Sequence, residues 1–354
     1  MKGLQRRHDI LKLMLNWAKV RVFARLARHV QMLPLLESGE ETTLIGGQAV
    51  MEGVMMRAPH SYCVAVRRPD GEIRYETKAI HRPSENNSLW KLPMLRGLAT
   101  LAQALKLGME SLQFSANVQL EAEMEKEAAA KGEVAPKKES KPISNGMMTV
   151  QLVISLGFFL VMYKFIPLWL ATQAKNAAPV LENQILFNLV DGLIRIAIFL
   201  AFMYGISRFK DIHRVFEFHG AEHRTVFNFE SGKPITVENA QKFVTWHPRC
   251  GTSFLIMVMI ISMCVYAILP FQDFWGRLIS RLVMLPVIAG LSYEVIRYAA
   301  KKPGGLFTLM TLPGLWLQRI TTQTPSDDQT DVAVKALEGA MALEKEQGGQ
   351  LVIA

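Results

Sequence analysis

The sequence predicts an α+β protein: a polytopic α-helical membrane bundle of about four spans, carrying a small N-terminal cytoplasmic β-containing domain. Three observations predict it. Half of the 354 residues are hydrophobic, and they gather in long uncharged runs that a water-soluble chain of this length rarely carries. Basic residues flank those runs and form no patch interleaved with aromatics, so the net charge of +9 reads as a topology signal and no nucleic-acid partner is expected. Ahead of the runs, strand-like stretches border a Pro69-Asp70-Gly71 turn, the pattern of a β-hairpin.

Taken in order, residues 1–41 are a basic N-terminal segment. Residues 8–33 read as an amphipathic helix with Arg21, Arg25 and Arg28 on one face and Trp17, Val20, Phe23 and Val30 elsewhere, lying on a membrane or packed as a surface helix. Its charges interrupt the apolar residues and no small-residue cleavage site follows, so no signal peptide is expected. Residues 42–120 make the soluble domain. Tyr62 to Arg67 and Glu72 to Lys78 are its hairpin strands, and the run Gly46-Gly47-Gln48-Ala49-Val50-Met51-Glu52-Gly53-Val54-Met55-Met56-Arg57 has glycines of the kind that mark a bulge or a close backbone approach. Apolar residues at helical spacing from Leu92 to Leu120 supply one or two helices to pack on the hairpin. Residues 121–142 hold Glu, Lys, Ala and Pro with few large apolar side chains, the composition of a flexible charged linker.

Residues 143–207 contain the first two spans. Pro142 to Tyr163 carries no charge and matches the about 20 apolar residues needed to cross a hydrocarbon core. Gln184 to Ser207 is the second span, with Asp191 and Arg195 spaced to pair on one helical face. Residues 208–250 form a cytoplasmic histidine-rich segment, and residues 251–300 hold spans three, Gly251 to Pro270, and four, Arg277 to Ala299. In the C-terminal region, 301–354, Gly304, Gly305 and Gly314 around an apolar run suggest a re-entrant or interfacial helix. Asp327, Asp328 and Asp331 then open a capped helix reaching Leu343.

Lys126, Lys131, Lys137, Lys138 and Lys141 precede span one; Arg208, Lys210 and Arg214 follow span two; Arg297, Lys301 and Lys302 follow span four. These flanks predict that both termini face the cytoplasm. Arg277 and Arg281 run against that pattern by placing positive charge on the outer side. Cys63, Cys250 and Cys264 form no CxxC pair or disulfide framework, which fits a reducing compartment.

The chemistry gathers in 208–250, where His213, His219, His223 and His247 stand with Glu217, Glu222 and Cys250. The sharpest element is His219-Gly220-Ala221-Glu222-His223. On a helix, positions i and i+4 stand one above the other, so both imidazoles can turn toward one divalent metal, with Glu222 beside it as general base on an activated water. Two helix histidines bonded to neighbouring carboxylates are the plainer explanation of the same spacing. A third ligand is needed, and His247, Cys250 and Glu294 are the candidates. If His219, His223, His247 and Cys250 all bind, zinc is structural; with three ligands, a position stays open for hydrolysis.

The glycine run from Gly46 to Arg57, Phe218 to His223, His247-Pro248-Arg249-Cys250-Gly251-Thr252-Ser253-Phe254, and Gly314-Leu315-Trp316-Leu317-Gln318-Arg319-Ile320-Thr321-Thr322 together resemble the ordered signatures of the YqhQ family of bacterial membrane proteins. The similarity runs from about residue 42 to about residue 340. The family is a domain of unknown function described as predicted metal-dependent enzymes, so the resemblance implies a bacterial plasma-membrane location and supports a metal. It also draws in Glu52 and Arg57, as supporting groups that reach the histidines or as an internal salt bridge of the glycine-rich turn. Two functions are thereby expected as alternatives. One is a metal-dependent membrane hydrolase acting on an unidentified substrate at the cytoplasmic surface. The other is a non-enzymatic scaffold or assembly factor, in which structural zinc fastens the loop and the β-domain recruits a protein partner.

Overall fold

The structure is a computed structural model that describes residues 45–81, 88–131, 145–247, 250–301 and 305–346. The N-terminal amphipathic segment expected over 8–33 lies outside these residues. Four strands open the described chain: β1 (Gly46–Val50), β2 (Gly53–Arg57), β3 (Ser61–Arg67) and β4 (Ile73–Ala79), paired antiparallel in the order β1-β2-β3-β4. The expected hairpin is β3–β4, turning at Gly71, whose φ of 92° suits glycine, with Glu72 N–H donating to Asp70 Oδ1 at 3.0 Å. The glycine-rich run is itself a hairpin, β1–β2, turning at Met51-Glu52.

Both faces of this sheet are covered, which is why Gly53 to Met56 and Tyr62 to Val66 read as nearly continuous apolar runs. Helix α1 (Leu95–Lys131) covers one face, burying Leu107 and Val118 against Val50, Met55, Tyr62, Val64 and Val66. Helices α5 (Lys210–Glu230) and α11 (Asp327–Glu346) cover the other, where Phe218, Ala221, Leu337 and Ala340 meet Val54, Met56, Cys63 and Ala65. The expected acid-led C-terminal helix is α11. Ser326 and Gln329 close its start reciprocally, Gln329 N–H to Ser326 Oγ at 3.3 Å and Ser326 N–H to Gln329 Oε1 at 2.9 Å.

The apolar half follows α1. Helix α2 (Asn145–Leu160) runs through a π-turn, Val161–Phe165, into α3 (Ile166–Ala177). Then come α4 (Gln184–Ile206), α6 (Val237–Gln241), α7 (Gly251–Ile268), α8 (Phe274–Val283), α9 (Leu285–Lys301) and α10 (Gly305–Thr321). Among the described residues three helices are long and apolar enough to cross a membrane: Val150–Ala177, Gln184–Ile206 and Gly251–Ile268. The pair Phe274–Val283 and Leu285–Tyr298, bent by 51°, makes a fourth if counted as one span.

Four expectations change. The first apolar helix does not stop at Tyr163, because Lys164 turns inward at the π-turn, donates to Tyr266 Oη at 2.9 Å and lets the helix continue to Ala177. Helix α1 runs to Lys131, well into the expected linker at 121–142, because Glu, Ala, Met and Lys all favour helix on an exposed face. The fourth apolar segment breaks near Met284, since Pro286 has no N–H to continue the ladder and can start the next helix. Asp191 pairs with Arg195 as expected, yet it also takes Arg281, so that arginine is a buried partner of the expected span two.

A candidate metal centre on helix α5

Helix α5 lies between the sheet and the apolar helices, and its motif is packed on all sides. Gly220 is there because nothing larger fits: a Cβ would fall on the carbonyl of Gln323, whose N–H donates to Phe216 O at 2.8 Å. This crossing brings the chain after α10 against α5. Gly220→Ala is expected to cost about 1–3 kcal/mol by forcing the two segments apart, read as a lowered Tm of the purified protein.

Two backbone carbonyls set the histidines. His219 Nδ1 donates to Thr321 O at 2.7 Å, and His223 Nδ1 donates to Thr245 O. A carbonyl can only accept, so both rings carry their proton on Nδ1 and keep a lone pair on Nε2. Cys250, the N-cap of α7, brings Sγ to 3.2 Å from His219 Nε2 and accepts from Thr252 N–H at 3.5 Å. Donor atoms of His219, His223 and Cys250 all lie within 4.8 Å of one another. Tetrahedral zinc, with bonds of about 2.0–2.3 Å, needs donors about 3.5 Å apart, so small rotations close the set.

Glu222 stands against both histidines, Oε2 at 3.9 Å from His219 Nε2 and 3.6 Å from His223 Nε2. Strand β1 roofs it. Gly47 N–H donates to the carboxylate, and a Cβ on Gly47 would meet Glu222 Cγ at 2.7 Å. This is the close backbone approach that the glycine run predicts. Burial pushes the Glu222 carboxyl above the usual carboxylate range, with the nearby histidines and the Gly47 N–H working against it.

The other expected ligands are elsewhere. His247 is next door: its ring centroid lies 5.6 Å from that of His223, but Nε2 faces Glu230 Oε2 at 3.4 Å, and its backbone is clamped by Gln318, which accepts from His247 N–H at 2.7 Å and donates to His247 O at 2.8 Å. Glu294 is not brought to the cluster. It holds the start of α1, accepting from Met94 N–H at 3.1 Å and pairing with Arg96, because its position on α9 faces α1 and not α5. Of the supporting pair, Glu52 sits at the β1–β2 turn and binds Arg214 on α5, in the turn of helix before His219, with 2.7 Å to Nη2. Arg57 lies at the other end of that hairpin, opposite Gly46, and donates to Gln103 of α1 at 2.5 Å. The internal Glu52–Arg57 bridge is therefore replaced by two bonds that dock the sheet on α5 and α1.

Sequence reasoning misses the carbonyls of Thr245 and Thr321, the clamp Gln318 and the partner Glu230. Backbone acceptors leave no mark in a sequence; Gln318, inside a quoted motif, carries the one signal that could have been followed.

Burial pushes His223 and His247 down to about 4. An unfolded histidine titrates near 6.5, so between those values the unfolded chain binds more protons and stability falls as pH falls, on the order of 3 kcal/mol per histidine across the window. Glu222 has the opposite sign: its raised pKa favours the folded state at low pH, and that contribution is lost as pH rises. With the carboxyl removed, only the histidine effect is left, so the Tm of metal-free Glu222→Gln is expected to fall from pH 7 to pH 5. Wild-type Tm should fall less over the same range, because Glu222 works against the histidines.

Fold and cluster together define a class: a bundle of apolar helices whose histidine-bearing helix is roofed by a small antiparallel sheet. The chain belongs to the family described as "Protein of unknown function (DUF1385)", whose model matches residues 92–343. It is 35% identical over 304 residues to the "Uncharacterized protein YqhQ" of Bacillus subtilis (strain 168), covering 84% of this chain and 92% of that protein. No solved structure matches.

Proposed function

We propose that this protein is a metal-dependent hydrolase of the bacterial plasma membrane, with His219, His223 and Cys250 holding a divalent metal, zinc by its ligand chemistry, and Glu222 as general base. The observation that carries the reading is the pair of Nδ1–H bonds to Thr321 O and Thr245 O, which turn both Nε2 lone pairs toward a cysteine sulfur. Two imidazoles and a thiolate suit zinc, and three protein ligands leave one position for chemistry. A zinc ion held there would supply the Lewis acid that makes water a nucleophile near neutral pH.

Glu222 would take the proton of that water and hand it to the leaving group. Its burial suits the task, because a raised pKa makes the carboxylate a stronger base than one in water. Gly47 N–H holds the carboxylate toward the ligands, so the sheet orients the base. Membrane insertion is supported by outward apolar faces such as Val153, Ile154 and Phe158 on α2, and by Trp275 in the first turn of α8. With basic flanks on the cytoplasmic side, the site lies at the inner surface and both termini face the cytoplasm.

The scaffold reading has one observation in its favour: the cluster ties α5, α7, the Thr245 segment and the end of α10 together, as a structural zinc would. Metal analysis of the full chain purified in mild detergent tests both readings. About one zinc per chain is expected, and protein that holds neither zinc nor another transition metal overturns them together.

A further inference from the structure

At the far end of α7 from Cys250 lies a second polar cluster, made largely of cations. At about 1.5 Å per residue, Tyr266 is about 24 Å along the helix from Cys250. Lys164 from the π-turn, Arg195 from α4, and Arg277 and Arg281 from α8 are all buried, Arg281 to 1% exposure. Asp191 lies among them, and both its oxygens are used, Oδ2 by Arg195 Nη2 at 2.5 Å and Oδ1 by Arg281 Nη1 at 2.7 Å. The remaining bonds go to neutral groups: Lys164 to Tyr266 Oη, Arg195 to Ser262 Oγ at 2.9 Å, Arg281 to Asn188 Oδ1 at 3.1 Å, Arg277 to Phe271 O at 3.2 Å. Asp273, at the rim, caps α8 through Gly276 N–H. Arg195 Nε is buried with no hydrogen-bond partner among the described residues.

Four bases therefore stand against one saturated carboxylate and the rim carboxylate of Asp273, two positive charges in excess. A buried ion is costly unless a counter-charge is near, so the arrangement calls for another anion. We infer that this cluster binds the phosphate group of a lipid, an inference that rests on the membrane-spanning reading of the helices. Depth brings a lipid headgroup within reach: Asn188 is near the start of α4, Tyr266 near the end of α7 and Arg277 in the first turn of α8, so this side of the cluster lies where the helices would leave the hydrocarbon. Arg195 and Lys164 extend it toward the middle of their helices. Helix α8 is turned for the same setting, with Trp275, Ile279, Leu282 and Val283 outward and Arg277, Ser280 and Arg281 inward. Arginine forks match the several oxygens of a phosphate, and Lys164 adds a point charge.

The test is the Tm of the full chain, delipidated in detergent, on adding phosphatidylglycerol, inorganic phosphate or sodium chloride of equal ionic strength. Phosphatidylglycerol should raise Tm saturably and sodium chloride should not. The rise should at least halve in Arg277→Gln, which lies off Asp191 and leaves the Asp191 pairs intact, and in Arg281→Lys, which keeps the charge and loses the fork. A rise with inorganic phosphate too supports the phosphate site and makes the free ion a second source of ligand. No rise with either, or an undiminished rise in Arg277→Gln, overturns the inference. Carbonate extraction separates the two readings: a chain retained in the membrane but unmoved by lipid refutes the phosphate site alone, whereas a released chain refutes the spanning reading and the site with it.

Discussion

Zinc is expected to leave the protein when any one of His219, His223 or Cys250 becomes Ala. Structural zinc binds small domains with about 10–16 kcal/mol, so one of three ligands accounts for about 3–5 kcal/mol, or about 10²–10⁴-fold in affinity. Retained metal after gentle purification should drop from about one ion per chain to a small fraction. His247→Ala and Glu294→Ala serve as controls, since His247 faces Glu230 and Glu294 holds Arg96; neither should lose metal to that extent. A His247 variant that empties the site would instead place its imidazole in the ligand set and favour the closed, structural form.

Glu222→Gln is the second large effect, and it separates enzyme from scaffold. The amide keeps the shape and the contact with β1, and it removes the proton acceptor. General bases contribute about 10²–10⁴-fold, so a hydrolase carrying this substitution should lose that factor in turnover while its metal stays bound. A strain expressing Glu222→Gln should match a deletion strain in its lipid and peptide profile while its membranes hold normal amounts of protein and metal. A scaffold would tolerate the change, and wild-type profiles in that strain would sink the enzyme reading.

The legible parts of this protein are the ones set by local chemistry. Pro69-Asp70-Gly71 announces β3–β4 because proline and glycine accept the backbone angles a turn requires. The β1–β2 hairpin is only half visible: its turn uses Glu52 at φ 53°, where Asn or Gly would have advertised it. His219 and His223 are legible through helical periodicity, and Cys250 appears among several candidates because its approach depends on how α7 meets α5. Glu294 misleads for the opposite reason. An ionisable group at the end of an apolar helix marks a need for a partner, and the partner proves to be Arg96, 198 positions earlier in the chain.

The cover supplied by α11 has a consequence for how the protein is made. Ser61 Oγ reaches Ala340 O at 2.8 Å across 279 residues of chain, and Gly339 is seated against Cys63. At about 5–20 residues per second, the ribosome needs about 15–55 s to deliver that partner after β3 has emerged. Until α5 arrives that apolar face of the sheet waits uncovered, and its part over β3 and β4 waits until α11, with the candidate spans synthesised in the interval. The order of birth is thus interleaved: the sheet is made early, the greasy middle follows, and α11, the last helix among the described residues, completes the cover over β3 and β4.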